Sequence, residues 1–475
     1  MSKFKLFIEN FVVYGIGGII SKVIPLLMLP IITRLMPDSF YFGLSDLSNT
    51  VVQFGSAIAV MGMYDAVFRL FFEKKSRKYQ KAVCSTALDF TLFTSLIVFL
   101  VLILFRRQMA QLFFSDPKYA NLIYLTAMSI LIGSTNNILQ IPTRTLNRRG
   151  VFLVLNTVGP VVSYAVSIPL LLSGHYVIAL PLASVISALT LEISFGFINQ
   201  KWFDVRLFNF GILKDLLKIA VPLMPNFLIY WIFNSCDRLM IGKLIGNSFT
   251  GIYGVGARIA SVSQLIYTAF AGGWQYFAFS TMNEKDQVKS NSLVFEYLGV
   301  ISFSVSLLVC VFAHAAFTIL FPGEYEAGYI VVPYLFLAPL MQMLYQVICN
   351  QFLVIKKTWP NMIILGGGAV LNIFLNLLLI PRIGIEGAAI ATLAGYVVSV
   401  IIAGVWLYKI ELFVVEPRLF IVAGTSVAYF LIWRFFLQTH FWIALLFALV
   451  LIACYVMLYK KDLMAVVKHG GKNDK

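Results

Sequence analysis

The sequence predicts an all-α polytopic membrane protein of about fourteen transmembrane helices, built as two parallel six-helix lobes around a central cavity plus two C-terminal helices. Three observations carry this expectation. The 475-residue chain is 60% hydrophobic and only 12% charged, whereas soluble domains hold about 45–50% apolar and about 25% charged residues. Apolar runs of about 20 residues, the length that crosses a bilayer as a helix, recur from end to end. A weak internal similarity also returns at a nearly constant offset.

Taken in order, the spans are expected at 11–33, 41–66, 83–105, 119–141, 151–173, 177–199, 216–241, 251–279, 292–320, 328–353, 360–380, 384–407, 418–437 and 441–459. No connection between them is long enough for a soluble domain. Lys3 and Lys5 precede the first apolar run as in a signal peptide. That run is long, carries Lys22 and lacks a small-x-small cleavage site, so it is expected to stay as the first span. With the N-terminus assigned to the cytoplasm, 26 of the 36 Lys and Arg fall on the cytoplasmic side, including the clusters FRLFFEKKSRKYQK and TRTLNRRG. Eight fall on the other side (Arg34, Arg106, Arg107, Lys118, Arg238, Lys243, Arg382, Arg434), and Lys22 and Arg258 lie within spans. This bias places both termini in the cytoplasm. The net charge of +15 sits in short loops and therefore does not point to nucleic acid.

The repeat pairs RLMPDSFYFG from Arg34 with KLIGNSFTGI from Lys243, RRG at Arg148 with KKT at Lys356, and SGHYVIALPLA from Ser173 with IGIEGAAIATL from Ile383. An even number of spans per unit makes the copies parallel. The expected division is 1–209 (spans 1–6), 210–412 (spans 7–12) and 413–475 (spans 13–14 with a cytoplasmic tail).

Polar side chains inside spans must face protein or water, since lipid satisfies no hydrogen bond. Span 2 carries Asp46, Asn49, Gln53, Ser56 and Tyr64 at helical spacing, and span 8 carries Arg258, Ser261, Gln264, Thr268 and Gln275. Span 7 adds Asn226, Tyr230, Asn234 and Asp237, and span 10 adds Gln342, Gln346 and Asn350. Single amides are often helix–helix glue, but matching stripes in both repeats point to a hydrated cavity. Asp65, Asp89, Glu192 and Glu296 lie at or within spans, either as structural ion pairs or as functional groups. Lys22 is followed by Pro25 and Pro30, which favour a kink. No Walker A, HExxH or GxSxG pattern and no metal-ligand cluster is present, which points to a transporter rather than an enzyme, without metal or cofactor. The five cysteines, scattered through apolar runs, read as packing residues.

The opening FVVYGIGGIISKVIPLLMLPIITRLM, the segment NSCDRLMIGKLIG…GIYGVGARI and LNIFLNLLLIPRIGIEGAAIATLAGY resemble the polysaccharide-transporter flippases, O-antigen-type members of the multidrug/oligosaccharidyl-lipid/polysaccharide exporter superfamily. The resemblance covers essentially the whole chain. It implies two six-helix lobes in a V, alternating access, and translocation of undecaprenyl-pyrophosphate-linked oligosaccharides across the bacterial inner membrane for surface polysaccharide such as lipopolysaccharide O-antigen. It further implies that Lys22 and Arg258, in the first and eighth spans, face the cavity and hold the pyrophosphate. Lys22 stands where related flippases commonly carry an arginine, so it would act as a point charge rather than a fork. The amides Asn49, Gln53, Asn226, Asn234, Gln264 and Gln346 then suit sugar hydroxyls, and Tyr230 a sugar ring. Asp65, Asp89 and Asp237 are the candidates for coupling a proton or sodium ion. The expected partners are the lipid-linked oligosaccharide, membrane lipids, and a polysaccharide polymerase with its chain-length proteins. The alternatives are a cation-coupled multidrug exporter of the same superfamily, which would favour an acidic and aromatic cavity, and a membrane polysaccharide polymerase.

Overall fold

A computed structural model describes residues 22–280, 282, 286–321 and 323–462. Every regular element among them is helical. In chain order these are α1 (22–35), α2 (Ser39–Val60), α3 (Met63–Phe71), α4 (Arg77–Leu104), α5 (Arg106–Phe114), α6 (Ala120–Leu139), α7 (Ile141–Thr145), α8 (Arg149–Leu172) and α9 (Tyr176–Asn199). They are followed by α10 (Phe210–Trp231), α11 (Asp237–Leu244), α12 (Asn247–Ala260), α13 (Ser263–Ser280), α14 (Gln287–Leu320), α15 (Val332–Val354), α16 (Trp359–Ile383), α17 (Ile385–Lys409), α18 (Pro417–Ile432) and α19 (Phe441–Leu458).

Among the described residues, eleven helices are long and apolar enough to cross a membrane, or twelve when α2 and α3, bent by 43°, count as one span. The count of fourteen is not reached. The first expected span begins outside the described residues, and the eighth is interrupted between α12 and α13 at Ser261 and Val262. The α2–α3 bend has a local cause: Gly62 follows Val60 and Met61 with φ of 76°, a conformation that glycine adopts at no steric cost.

The helices are turned outward in a way that water would not tolerate. On α4 the side chains of Leu92, Phe93, Leu96, Leu100 and Leu104 are exposed, while Ser85, Thr86, Thr91 and Ser95 on the same helix are buried. An apolar outer face with hydroxyls inside is what lipid requires. The protein is therefore a multi-pass membrane protein.

By packing, the chain forms two compact units. One comprises the chain up to Val255 together with Ile373–Ala388; the other comprises Gly256–Asn372 and the chain from Ala389. In the first unit, α10 packs on α3 and α4, and Leu216 and Ala220 join Met63, Val67, Val83 and Ile138 in one apolar cluster. The connection from α9 to α10 is fastened to α4. The Asp204 and Asn209 amides donate to Ser85 Oγ and Thr86 Oγ1 at 2.9 and 3.1 Å. Trp202 is buried beside the ring of Phe71, with the Arg77 guanidinium 5.6 Å from its indole. In the second unit, α14 runs against α15, α18 and α19. Trp433, in the π-turn Trp433–Leu437 that continues α18, is fully buried.

Candidate functional site

The polar stripe of span 2 and that of span 7 meet along α2 and the continuous rod formed by α10, a π-turn (Ile232–Cys236) and α11. Asp46, Thr50 and Gln53 sit at i, i+4, i+7 on α2, and Trp231, Ser235 and Arg238 take the same spacing on the rod, so each set occupies one face. Three ties join them. Arg238 Nε lies 2.7 Å from Asp46 Oδ2, Ser235 Oγ donates to Gln53 Oε1 at 2.9 Å, and Trp231 Nε1 donates to the Thr50 carbonyl at 3.3 Å. Phe54 packs against Trp231 with ring centroids 4.6 Å apart.

Asp237 is buried. Its Oδ1 accepts from the Arg238 amide at 2.8 Å, and its Oδ2 accepts from the hydroxyl of Tyr253 on α12. Gly254 makes room for the group, since a Cβ there would stand 2.8 Å from Asp46 Oδ2. Two aspartates, one guanidinium and one phenol thus converge where α2, α11 and α12 come together. Sequence reasoning placed Asp46 and Asp237 on polar stripes but counted Arg238 with the outer connections. The signal that could have found it is its spacing of three and seven from Ser235 and Trp231, which puts it on the buried face.

The remaining expected residues are more dispersed. Lys22 is exposed on α1, and among the described residues it makes no ion pair or hydrogen bond. Arg258 is half-buried on α12, in the second unit. Asn49 and Asn226 are half-buried, Tyr230 is exposed, and Asn234 is exposed with its amide on the Tyr230 carbonyl at 2.7 Å. Gln264 is half-buried near the start of α13, where its backbone carbonyl accepts from Thr268 Oγ1 at 2.7 Å. Gln346 is half-buried on α15, with Oε1 buried and without a hydrogen bond. Asp65 is exposed on α3 beside Tyr64, whose hydroxyl accepts from Arg144. Asp89 keeps a buried Oδ2 without a hydrogen bond. Among the described residues no group of three or more His, Cys, Asp or Glu is arranged for a metal ion.

Two further carboxylates find structural partners. Glu192 accepts from Thr135 Oγ1 at 2.6 Å. Glu296 on α14 accepts from Arg418 Nε and from the Tyr459 hydroxyl, both at 2.6 Å. Arg418 also bonds Asp462 and lies 4.2 Å over the Tyr459 ring. This pairing joins residues 122 positions apart, and no local periodicity announces it.

Comparison with known proteins agrees with this architecture. Residues 31–328 match the family model described as "Polysaccharide biosynthesis protein". An uncharacterized membrane protein of Methanocaldococcus jannaschii is 25% identical over 201 residues, which is 42% of this chain and 46% of that one, so the chain spans about half the length of the curated relative it matches. Among solved structures, the lipid II flippase MurJ in an inward closed conformation has a TM-score of 0.74 at 15% identity, covering 95% of this chain and 100% of its own. An inward-facing multidrug resistance transporter of the MATE family, within the MOP superfamily, has a TM-score of 0.63 at 15% identity, covering 86% and 99%. These likenesses show a MurJ/MATE-like fold. Because the family match takes in more than half of the sequence, the chain belongs to the polysaccharide biosynthesis protein family.

Proposed function

We propose that this protein is a flippase, with both termini cytoplasmic, that moves undecaprenyl-pyrophosphate-linked oligosaccharide units across the cytoplasmic membrane by alternating access. The observation that carries the reading is a contrast among its intramembrane cations. Arg238 and Arg418 are committed to buried carboxylates, whereas Lys22 is exposed and holds none of the described acids. An ammonium at membrane depth costs roughly 2.5–3.5 kcal/mol on insertion scales. That cost is offset when the charge faces water and receives an anion. A pyrophosphate supplies the anion, and membership of a polysaccharide biosynthesis family supplies the reason for one to be there. Arg258 is the second phosphate ligand in this reading, and the amides of α2, α10, α13 and α15 address the sugar.

An inside-negative potential drives the anionic head group outward, at about 2.3 kcal/mol per charge per 100 mV. Coupling to a proton or sodium ion through Asp65, Asp89 or Asp237 is the alternative source. Of these, Asp237 is already engaged with Tyr253 and the Arg238 amide. A polysaccharide polymerase with chain-length proteins would take the product on the far side.

The test is glycan export per folded molecule. Lys22→Ala and Arg258→Ala are each expected to reduce it about ten- to a hundredfold, matching the 1.5–3 kcal/mol of a charge-assisted hydrogen bond. Lys22→Arg should keep activity, and Arg258→Lys should lose more if a bidentate grip operates there. Normal export in both alanine variants would overturn the pyrophosphate assignment.

A further inference from the structure

The first half of α10 turns one face inward and leaves another open. Leu216 and Ala220 are fully buried in the apolar cluster that joins α10 to α3 and α4. The neighbouring face, from Phe210 to Pro222, lines a cavity of about 570 Å³, within the roughly 300–1,000 Å³ of small-molecule sites. Leu213, Leu217 and Val221, each four residues from the next, give it an apolar wall, and Lys214 and Lys218 stand on the same face one turn apart. Among the described residues no acid lines it. Lys218 Nζ lies 2.9 Å from Asp215 Oδ1, with side-chain exposures of 64% and 56%, a surface pair of the kind that contributes little and exchanges easily. Lys214 is exposed and makes no ion pair or hydrogen bond among the described residues.

Length sets these lysines at the membrane surface. The rod from Phe210 to Leu244 holds 35 residues, about 52 Å of helix at about 1.5 Å per residue. The hydrocarbon core is only about 30 Å thick. The excess includes the first turns of α10, where Lys214, Asp215 and Lys218 are exposed, and lysine stems carry their ammonium groups further toward water. From Phe210 to Pro222 the groove follows about 18 Å of helix, so it runs from the headgroup layer into the acyl chains.

We propose that this groove holds an anionic glycerophospholipid, with one acyl chain along Leu213, Leu217 and Val221 and the phosphate between Lys214 and Lys218. Two cations and no acid favour a headgroup of net negative charge, whereas a zwitterionic headgroup brings its own cation against them. The site does not depend on the flippase reading.

The test is thermal melting of the full-length protein in a non-ionic detergent, alone and with phosphatidylglycerol, phosphatidylcholine or glycerol 3-phosphate at equal concentration. A ligand that binds only the folded state raises the melting temperature. Phosphatidylglycerol should raise it by several degrees, phosphatidylcholine by less than half as much, and glycerol 3-phosphate, which lacks the chains, not at all. Lys214→Gln combined with Lys218→Gln should abolish the preference for the anionic lipid. Val221→Trp, at a position 47% exposed, should fill the groove and remove most of the stabilisation. Lys356→Gln combined with Lys357→Gln, on the exposed turn after α15 in the second unit, should leave both effects unchanged. Equal responses to the two lipids, no response to either, or a full response in either α10 variant overturns the proposal. Loss of the preference in the Lys356 and Lys357 variant also overturns it, because general basicity would then be the cause. Stabilisation by glycerol 3-phosphate equal to that by the lipid overturns it in favour of a site for free phosphate.

Discussion

At the scale of single residues, Arg238 sets the terms. Its guanidinium lies 2.7 Å from Asp46, with side-chain exposures of 16% and 6%, so little solvent reaches the pair to replace a lost partner. Breaking a buried pair by removing one side costs about 3–5 kcal/mol, because the other charge stays buried. Replacing both sides by neutral isosteres costs much less. Arg238→Gln is therefore expected to lower the melting temperature sharply and reduce membrane abundance, and Asp46→Asn added to it should recover most of the loss. A double variant as unstable as Arg238→Gln alone would mean that the guanidinium acts through something other than Asp46. The sequence made Asp46 visible as part of a helical stripe. It left Arg238 among the loop charges, because a residue near a span end has two plausible environments and only the partner helix decides between them.

Between elements, a close backbone crossing joins α2 and α12, two segments that the sequence pairs as copies of a repeat, within the first unit. A Cβ on Gly43 would stand 1.9 Å from the Asn247 carbonyl oxygen, and one on Gly251 would stand 2.0 Å from the Ser39 carbonyl oxygen. The two contacts exchange under a shift of 208 residues, Ser39 with Asn247 and Gly43 with Gly251. A local two-fold relation between α2 and α12 has this signature, with each side meeting the other through the same surface. The repeat was legible in the sequence at nearly this offset, whereas the meeting of its copies was not: small residues permit close approach but do not name the backbone that approaches. Gly251→Ala or Gly43→Ala should force the helices apart and destabilise the protein by about 1–3 kcal/mol, the usual range for overpacking. Gly133→Ala on α6, with nothing within 4 Å of the added carbon, should be neutral or should stabilise through helix propensity by up to about 1 kcal/mol. Equal effects at positions 133 and 251 would remove the case for the close crossing.

For the molecule as a whole, apolar run length was enough to read a many-helix membrane protein, because that property is local and lipid imposes it on every span. What joins distant spans was not legible, since Asp46 with Arg238 and Glu296 with Arg418 are pairings that no window of the sequence contains. The C-terminal helices show the consequence. Their position outside the repeat suggests an appendage, yet they are fastened at both ends, to α14 and to the 3-10 segment Gly323–Val331 that follows it. Arg418 and Tyr459 hold Glu296 at one end, and Tyr329 donates to Gln438 at the other. Deleting the chain from Arg418 onward would leave lipid to cover most of the apolar surface released, at little cost, because hydrocarbon tails are as apolar as the side chains they replace. The carboxylate of Glu296, with 4% of its side chain exposed, has no such substitute. The truncated protein is therefore expected to lose stability by about the 3–5 kcal/mol of a broken buried pair, seen as a lower melting temperature and lower yield in the membrane. Glu296→Gln introduced into the truncated protein should restore much of that loss, whereas the same substitution in the full-length chain should destabilise it by leaving Arg418 with Asp462 as its one remaining carboxylate among the described residues. A truncated protein as stable as the intact one, or one that Glu296→Gln fails to help, would show that the brace is incidental and that the C-terminal pair is held by packing alone.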